Sequence, residues 1–289
     1  MRPLLPILLA VVLVAAAALW ITRPRAFAAD EWTLTGDASA GERVFHLAGC
    51  AGCHSAEGAE GDERLVLSGG RRLVSPFGTF LVPNISSDPA AGVGDWSDAE
   101  LASAIMRGTS RDGAHLYPSF PYTAYGLAEP QDVADLIAYL RELPASDAPS
   151  APHELTFPFN IRLGLGAWKL LNVPDGFSGI GPDEGRYLVE ALAHCAECHT
   201  PRDWTGGLDR GRWMAGAPNP SGEGRIPGIT PAQLDWSEDD VAYYLQSGLT
   251  PEFDSAGGHM AEVVLGLSQA SDADRAAIAA YVKALPAAE

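Results

Sequence analysis

The chain has 289 residues, enough for two domains of ordinary size, and sets 19 Lys and Arg against 37 Asp and Glu for a formal net charge of −18. So acidic a chain excludes nucleic acid as a partner, because phosphate binding needs a basic face. The charge suits solubility or docking on a basic protein, and the 4 cysteines, all in two C-x-x-C pairs, leave none for a structural disulfide.

An uncharged apolar run extends from Leu4 to Ile21, with Arg2 before it and Arg23 and Arg25 after it. It just reaches the length of a membrane span and is long for a signal-peptide core. Ala26-Phe27-Ala28 nevertheless has the small-x-small form of a cleavage site. Residues 1–28 are therefore expected to be a membrane anchor or signal segment, with retention as an N-terminal anchor the preferred reading.

The first module is expected over residues 36–144. A helix from Ala38 to Ala48 leads into Cys50-Ala51-Gly52-Cys53-His54. C-x-x-C-H is the attachment signature of a c-type haem. Its thiols, Cys50 and Cys53, add to the haem vinyl groups, and His54 follows as the proximal iron ligand. A Gly-rich loop succeeds it, and Leu65–Leu67 and Phe77–Val82 are expected as short strands. Ser97 and Glu100 form a capping box that opens a helix stopped by Gly108. Asp132–Leu143, with Val133, Leu136, Ile137 and Leu140 on one face, is the last helix, and Pro144 ends it.

Residues 145–181 form an inter-domain connector. Its first half is rich in proline, but Phe157 to Val173 is too apolar for a free linker and is expected to be partly helical, packed between the modules. The second module, 182–289, repeats the first. Cys195-Ala196-Glu197-Cys198-His199 is a second haem signature, with Cys195 and Cys198 as thioether donors and His199 as iron ligand. Asp235-Trp236-Ser237 repeats Asp95-Trp96-Ser97, and Gly248 repeats Gly108, both at a separation of 140. Two copies of one unit, each binding its own cofactor, follow directly. Zinc would use the same four thiols but gives no reason for a histidine after each pair. The expected cofactors are two covalently bound haem c groups, which are attached outside the bacterial cytoplasm.

Both modules resemble class I cytochrome c domains. The chain from about Ala40 onward resembles bacterial dihaem cytochromes c related to the cytochrome subunits of membrane-bound alcohol and aldehyde dehydrogenases. The stretches carrying the likeness are Gly41-Glu42-Arg43-Val44-Phe45, Ser75-Pro76-Phe77-Gly78-Thr79-Phe80, Val82-Pro83-Asn84-Ile85, His115-Leu116-Tyr117-Pro118, Phe157-Pro158-Phe159-Asn160-Ile161-Arg162 and the two haem signatures. The resemblance implies a mainly α fold of two tandem class I domains behind an N-terminal apolar helix. It further implies a proline carbonyl on each proximal histidine, for which Pro83 and Pro227 are the candidates. It also implies a methionine as sixth ligand, which in the second module is Met260, with His259 as the competitor, and Met214 is the other methionine there. The same count in the first module lands on Phe120, which has no donor atom. Haem 1 is then open behind Phe120, or takes His115, or takes Met106.

The function expected from this is one-electron transfer by a periplasmic carrier, N-terminally anchored or released by signal cleavage, between a dehydrogenase subunit or other donor and an oxidase or another cytochrome. The alternative is a haem enzyme or small-molecule sensor built on an open haem 1.

Overall fold

The structure, a computed structural model, describes residues 4–222 and 224–287; Arg2 and the last two residues of the second module lie outside them. Leu4–Ile21 forms helix α1, uncharged and of 18 residues. Its length of about 27 Å falls short of the roughly 30 Å of a hydrocarbon core. Among the described residues no helix is long and apolar enough to cross a membrane, which corrects the expected span. Residues 5–21 are exposed, and the helix joins the body at its end, where the Thr22 carbonyl accepts a hydrogen bond from His115 Nε2 at 2.8 Å.

In the first module, helix α2 (Ala38–Leu47) starts at Asp37, whose carboxylate accepts from the Ser39 N–H, and buries Val44, Phe45 and Leu47. One turn, α3 (Cys50–His54), carries the haem signature. Strands β1 (Arg72–Ser75) and β2 (Gly78–Leu81) make an antiparallel hairpin, and β3 (Glu154–Leu155) from the connector pairs with β2. The strand expected at Leu65–Leu67 is absent. Gly61–Leu65 is a 3₁₀ turn, and the carbonyl of the fully buried Leu67 accepts from the Ile85 N–H instead. The capping box of Ser97 and Glu100 opens α4 (Asp98–Arg107), followed by α5 (Tyr122–Tyr125) and α6 (Pro130–Glu142). Helices α2 and α6 cross with backbones touching at Gly41, where a Cβ would lie 2.0 Å from the Asp135 carbonyl oxygen.

The connector holds α7 (Gly164–Asn172). One side of it contacts residues both before and after it in the chain. Lys169 Nζ donates to the Arg107 and Gly108 carbonyls, at 2.8 and 2.7 Å, while Trp168 Nε1 donates to the Thr205 carbonyl at 3.1 Å. The other side is open, with Leu170 and Leu171 exposed.

In the second module α8 (Asp183–Tyr187) runs into a π-turn at Leu188–Leu192, followed by α9 (Ala196–His199), strands β4 (Ala217–Pro218) and β5 (Arg225–Ile226), and helices α10 (Glu238–Ser247), α11 (His259–Leu267) and α12 (Asp272–Ala284). Gly185 takes the role of Gly41, since a Cβ there would lie 2.2 Å from the Ala277 carbonyl oxygen. From this glycine to the first haem cysteine there is one residue more than in the first module. The π-turn absorbs it without breaking the helix.

The modules interlock through their haem signatures. Helix α11 lies on α3, with Glu262 beside Gly52, and the Glu262 carboxylate is held by Arg64 at 2.8 Å and Arg71 at 3.1 Å. Reciprocally, Thr123 of α5 donates to Glu197 inside the second signature at 2.9 Å, and His194 Nε2 meets the Ala48 carbonyl at 3.3 Å. Burial works against the Glu262 charge, but the hydrogen bonds and charges of Arg64 and Arg71 outweigh it and hold the carboxyl below its ordinary value. That stabilisation is complete above the unfolded-state pKa and disappears as pH falls through the folded one. Glu262→Ala is expected to cost about 2 kcal/mol at neutral pH, read as a lower midpoint in thermal melts. The gap from the parent protein should close as the melts are repeated at increasingly acid pH.

Candidate functional site

Each signature is one helical turn entered through a left-handed residue, Gly49 (φ 63) in the first copy and His194 (φ 42) in the second. The turn brings the two thiols of a signature to one side with the histidine next to them. His54 Nδ1–H donates to the Pro83 carbonyl at 2.9 Å, and His199 Nδ1–H donates to the Pro227 carbonyl at 2.8 Å. With Nδ1 protonated, the neutral ring keeps its lone pair on Nε2. Burial drives the His54 pKa down to about 4 against the opposing pull of the Pro83 carbonyl, and lowers that of His199 in the same way. Both rings are therefore neutral at physiological pH.

Burial pushes the Cys50 and Cys195 thiols up to about 12, so both are protonated at neutral pH while they carry no cofactor. Among the described residues no group of three or more His, Cys, Asp or Glu side chains is placed to hold a metal ion directly. Two thiols beside one neutral imidazole fit a covalently attached haem. Cys198 is raised by burial first and then by Glu197, and the nearness of Cys53 in the other module adds to the rise.

A feature not read from the sequence positions the proline carbonyls. Gly69 N–H donates to the His54 carbonyl and Gly216 N–H to the His199 carbonyl, both at 2.7 Å. Both glycines are left-handed, and a Cβ at Gly69 would lie 2.4 Å from the Pro83 carbonyl carbon. Two residues earlier, Leu67 and Met214 are fully buried, and their carbonyls accept from Ile85 and Ile229 N–H at 3.0 and 2.9 Å. Met214 is thereby a core residue matching Leu67. The pairing of the two glycines was visible in the sequence only once the loops, unequal in length, were aligned from the histidines.

Leu116 N–H donates to the Gly108 carbonyl and Ala256 N–H to that of Gly248, so the loops after α4 and α10 share one register. Four residues further stand Phe120 and Met260, both half-buried against the core. Met260 lies in the first turn of α11, not in the polar loop expected for it. His115 is buried, its Nε2–H given to Thr22, and Met106 is half-buried among core residues at the end of α4. Of the remaining histidines, His194 points its Nε2 at the Ala48 carbonyl at 3.3 Å and His153 accepts from the Leu81 N–H at 3.1 Å.

Residues 38–144 match the cytochrome c family. A diheme cytochrome c-type protein of Cereibacter sphaeroides is 57% identical over 288 residues, 97% of each chain. The fructose dehydrogenase cytochrome subunit of Gluconobacter japonicus is 36% identical over 86% of this chain and 52% of its own. The alcohol dehydrogenase (quinone) cytochrome c subunit of Gluconobacter oxydans is 31% identical over 86% of this chain and 54% of its own. The chain thus spans about half the length of these two dehydrogenase subunits.

Gly69→Ala should drive the Pro83 carbonyl away from His54. The expected loss of stability is roughly 2–4 kcal/mol, from a left-handed Cβ plus a backbone clash. Chemical denaturation, followed separately in the visible and far-ultraviolet spectra, should show the visible signal of the first module failing before that of the second.

Proposed function

The chain belongs to the c-type cytochromes, which hold haem c covalently, and on that footing we propose that it is a dihaem carrier passing single electrons from a dehydrogenase to a respiratory acceptor on the periplasmic side of a bacterial membrane. The observation that carries the reading is the repeated donor set: Cys50, Cys53 and His54 on Pro83, and Cys195, Cys198 and His199 on Pro227. Bound haem c supplies a one-electron ferric–ferrous couple. The chain's part is to fix each imidazole, exclude water and hold the two signatures against each other, so that an electron entering one module leaves through the other. The likeness to the cytochrome subunits of fructose and quinone alcohol dehydrogenases supports a dehydrogenase as donor.

The two haems are unequal in this reading. Met260 gives haem 2 a thioether, which raises its potential, and Phe120 in the same register gives haem 1 none. His115 is held by Thr22 at the end of α1, so taking it as a ligand means breaking that bond. This favours an open haem 1 over a histidine-ligated one and keeps small-molecule binding there as a second reading.

Mass spectrometry of the purified protein should show two haem additions that survive acid–organic extraction; one addition would refute the dihaem reading. Met260→Ala should abolish the methionine-to-iron charge-transfer band of the oxidised protein completely, and survival of half of it would place a second methionine, Met106, on haem 1. Carbon monoxide should bind the ferrous protein quickly at one haem, whereas slow binding at both would show that haem 1 has a protein ligand.

A further inference from the structure

The turn after α10 carries a residue that its own module does not need. In the first module the matching turn is closed by Ser110 N–H to the Ala114 carbonyl and Gly113 N–H to the Ser110 carbonyl, both at 2.9 Å. In the second, Thr250 N–H donates to Asp254 at 2.8 Å and Phe253 N–H to Thr250 at 2.9 Å. Phe253 therefore stands in the place of Gly113. Both are left-handed, with φ 73 at Gly113 and 64 at Phe253. Glycine takes that backbone freely, whereas a bulky residue with a Cβ is strained in it. A Cβ at Gly113 would meet nothing within 4 Å, and the Phe253 ring is accordingly 81% exposed. The second module thus bears backbone strain and an exposed ring together, and neither contributes to its core.

The position of the ring gives it a use. It lies on the loop that leads into His259 and Met260, the edge of the second haem site, and exposed Glu252 and Asp254 flank it. An apolar anchor inside an acidic rim is complementary to an apolar pocket rimmed by Lys or Arg. Resting on the electron-carrier reading above, we propose that Phe253 is the anchor through which a redox protein with a basic, apolar-centred face docks at haem 2, with Glu252 and Asp254 orienting it. Outward strain at a single turn is the pattern expected where a contact with another molecule makes use of the residue.

Phe253→Gly, which installs the residue the first module carries, separates docking from folding. In the full-length holoprotein its thermal midpoint should equal or exceed that of the parent. Stopped-flow oxidation of the reduced protein by a ferric, lysine-rich mitochondrial-type cytochrome c should slow about tenfold, as for loss of one hot-spot side chain. Oxidation by ferricyanide, too small to use the anchor, should stay unchanged. Glu252→Lys should slow the first reaction further and flatten its dependence on salt. An unchanged rate with the basic cytochrome in Phe253→Gly overturns the proposal, and so does an equal fall with both oxidants, which would show a disturbed haem. Loss of binding to phosphatidylcholine vesicles with protein oxidation unchanged would assign the ring to lipid and likewise overturn it. If neither oxidant reacts with the parent protein, the electron-carrier reading fails with it.

Discussion

One hydrogen bond, made twice, organises this molecule: the Nδ1–H of a histidine donating to a proline carbonyl, His54 to Pro83 and His199 to Pro227. It sets the tautomer, and so which nitrogen is left for iron. The carbonyl arrives from far along the chain, so the intervening loop has to be held to ångström tolerance. A left-handed glycine does this in each copy by donating to the histidine's own carbonyl while lying flat against the proline loop. The buried Leu67 and Met214 anchor the same loops in the core. The hairpin, the capped helices and the crossing of the first and last helices all serve to carry these loops.

The second constraint is reciprocal. The turn Cys50–His54 buries no side chain fully on its own account. It is covered by α11 of the other module, as α5 covers the second signature, with Glu262 and Glu197 taking the polar contacts. Each signature is covered by a helix of the other module, so the contacts that stabilise the chain also bring the two signatures into one packed region. Within that pseudo-symmetry, three differences stand out: an extra residue taken up by the π-turn, Phe120 against Met260, and Gly113 against Phe253. On the proposed reading the second of these makes the two haems unequal.

Much of this was legible in the sequence because it is local. The helical turns of the two C-x-x-C-H pentapeptides, the capping box at Ser97 and the stop at Gly108 are set by residues three to five apart, and the box and the stop fall where read. The prolines were located through resemblance and were found on the histidines. What failed depended on partners distant in sequence. Leu65–Leu67 looks like a strand but is claimed by the core and by Ile85. The apolar run at Leu4–Ile21 is helical as expected, yet falls short of a membrane span. The interlock of α5 and α11 with the opposite signatures left no local trace, because Gly52, Thr123 and Glu262 are unremarkable residues until the modules are packed.

We propose that one interlocked body holds two unequal one-electron centres, the second ligated by Met260 and the first by no methionine. A potentiometric titration of the holoprotein, followed in the haem α-band and in the methionine-to-iron charge-transfer band, tests it most directly. Two one-electron waves of equal amplitude should appear, and the charge-transfer band should develop wholly with oxidation of the higher-potential centre. A single wave for both haems, or a charge-transfer band divided between the two waves, would contradict the account.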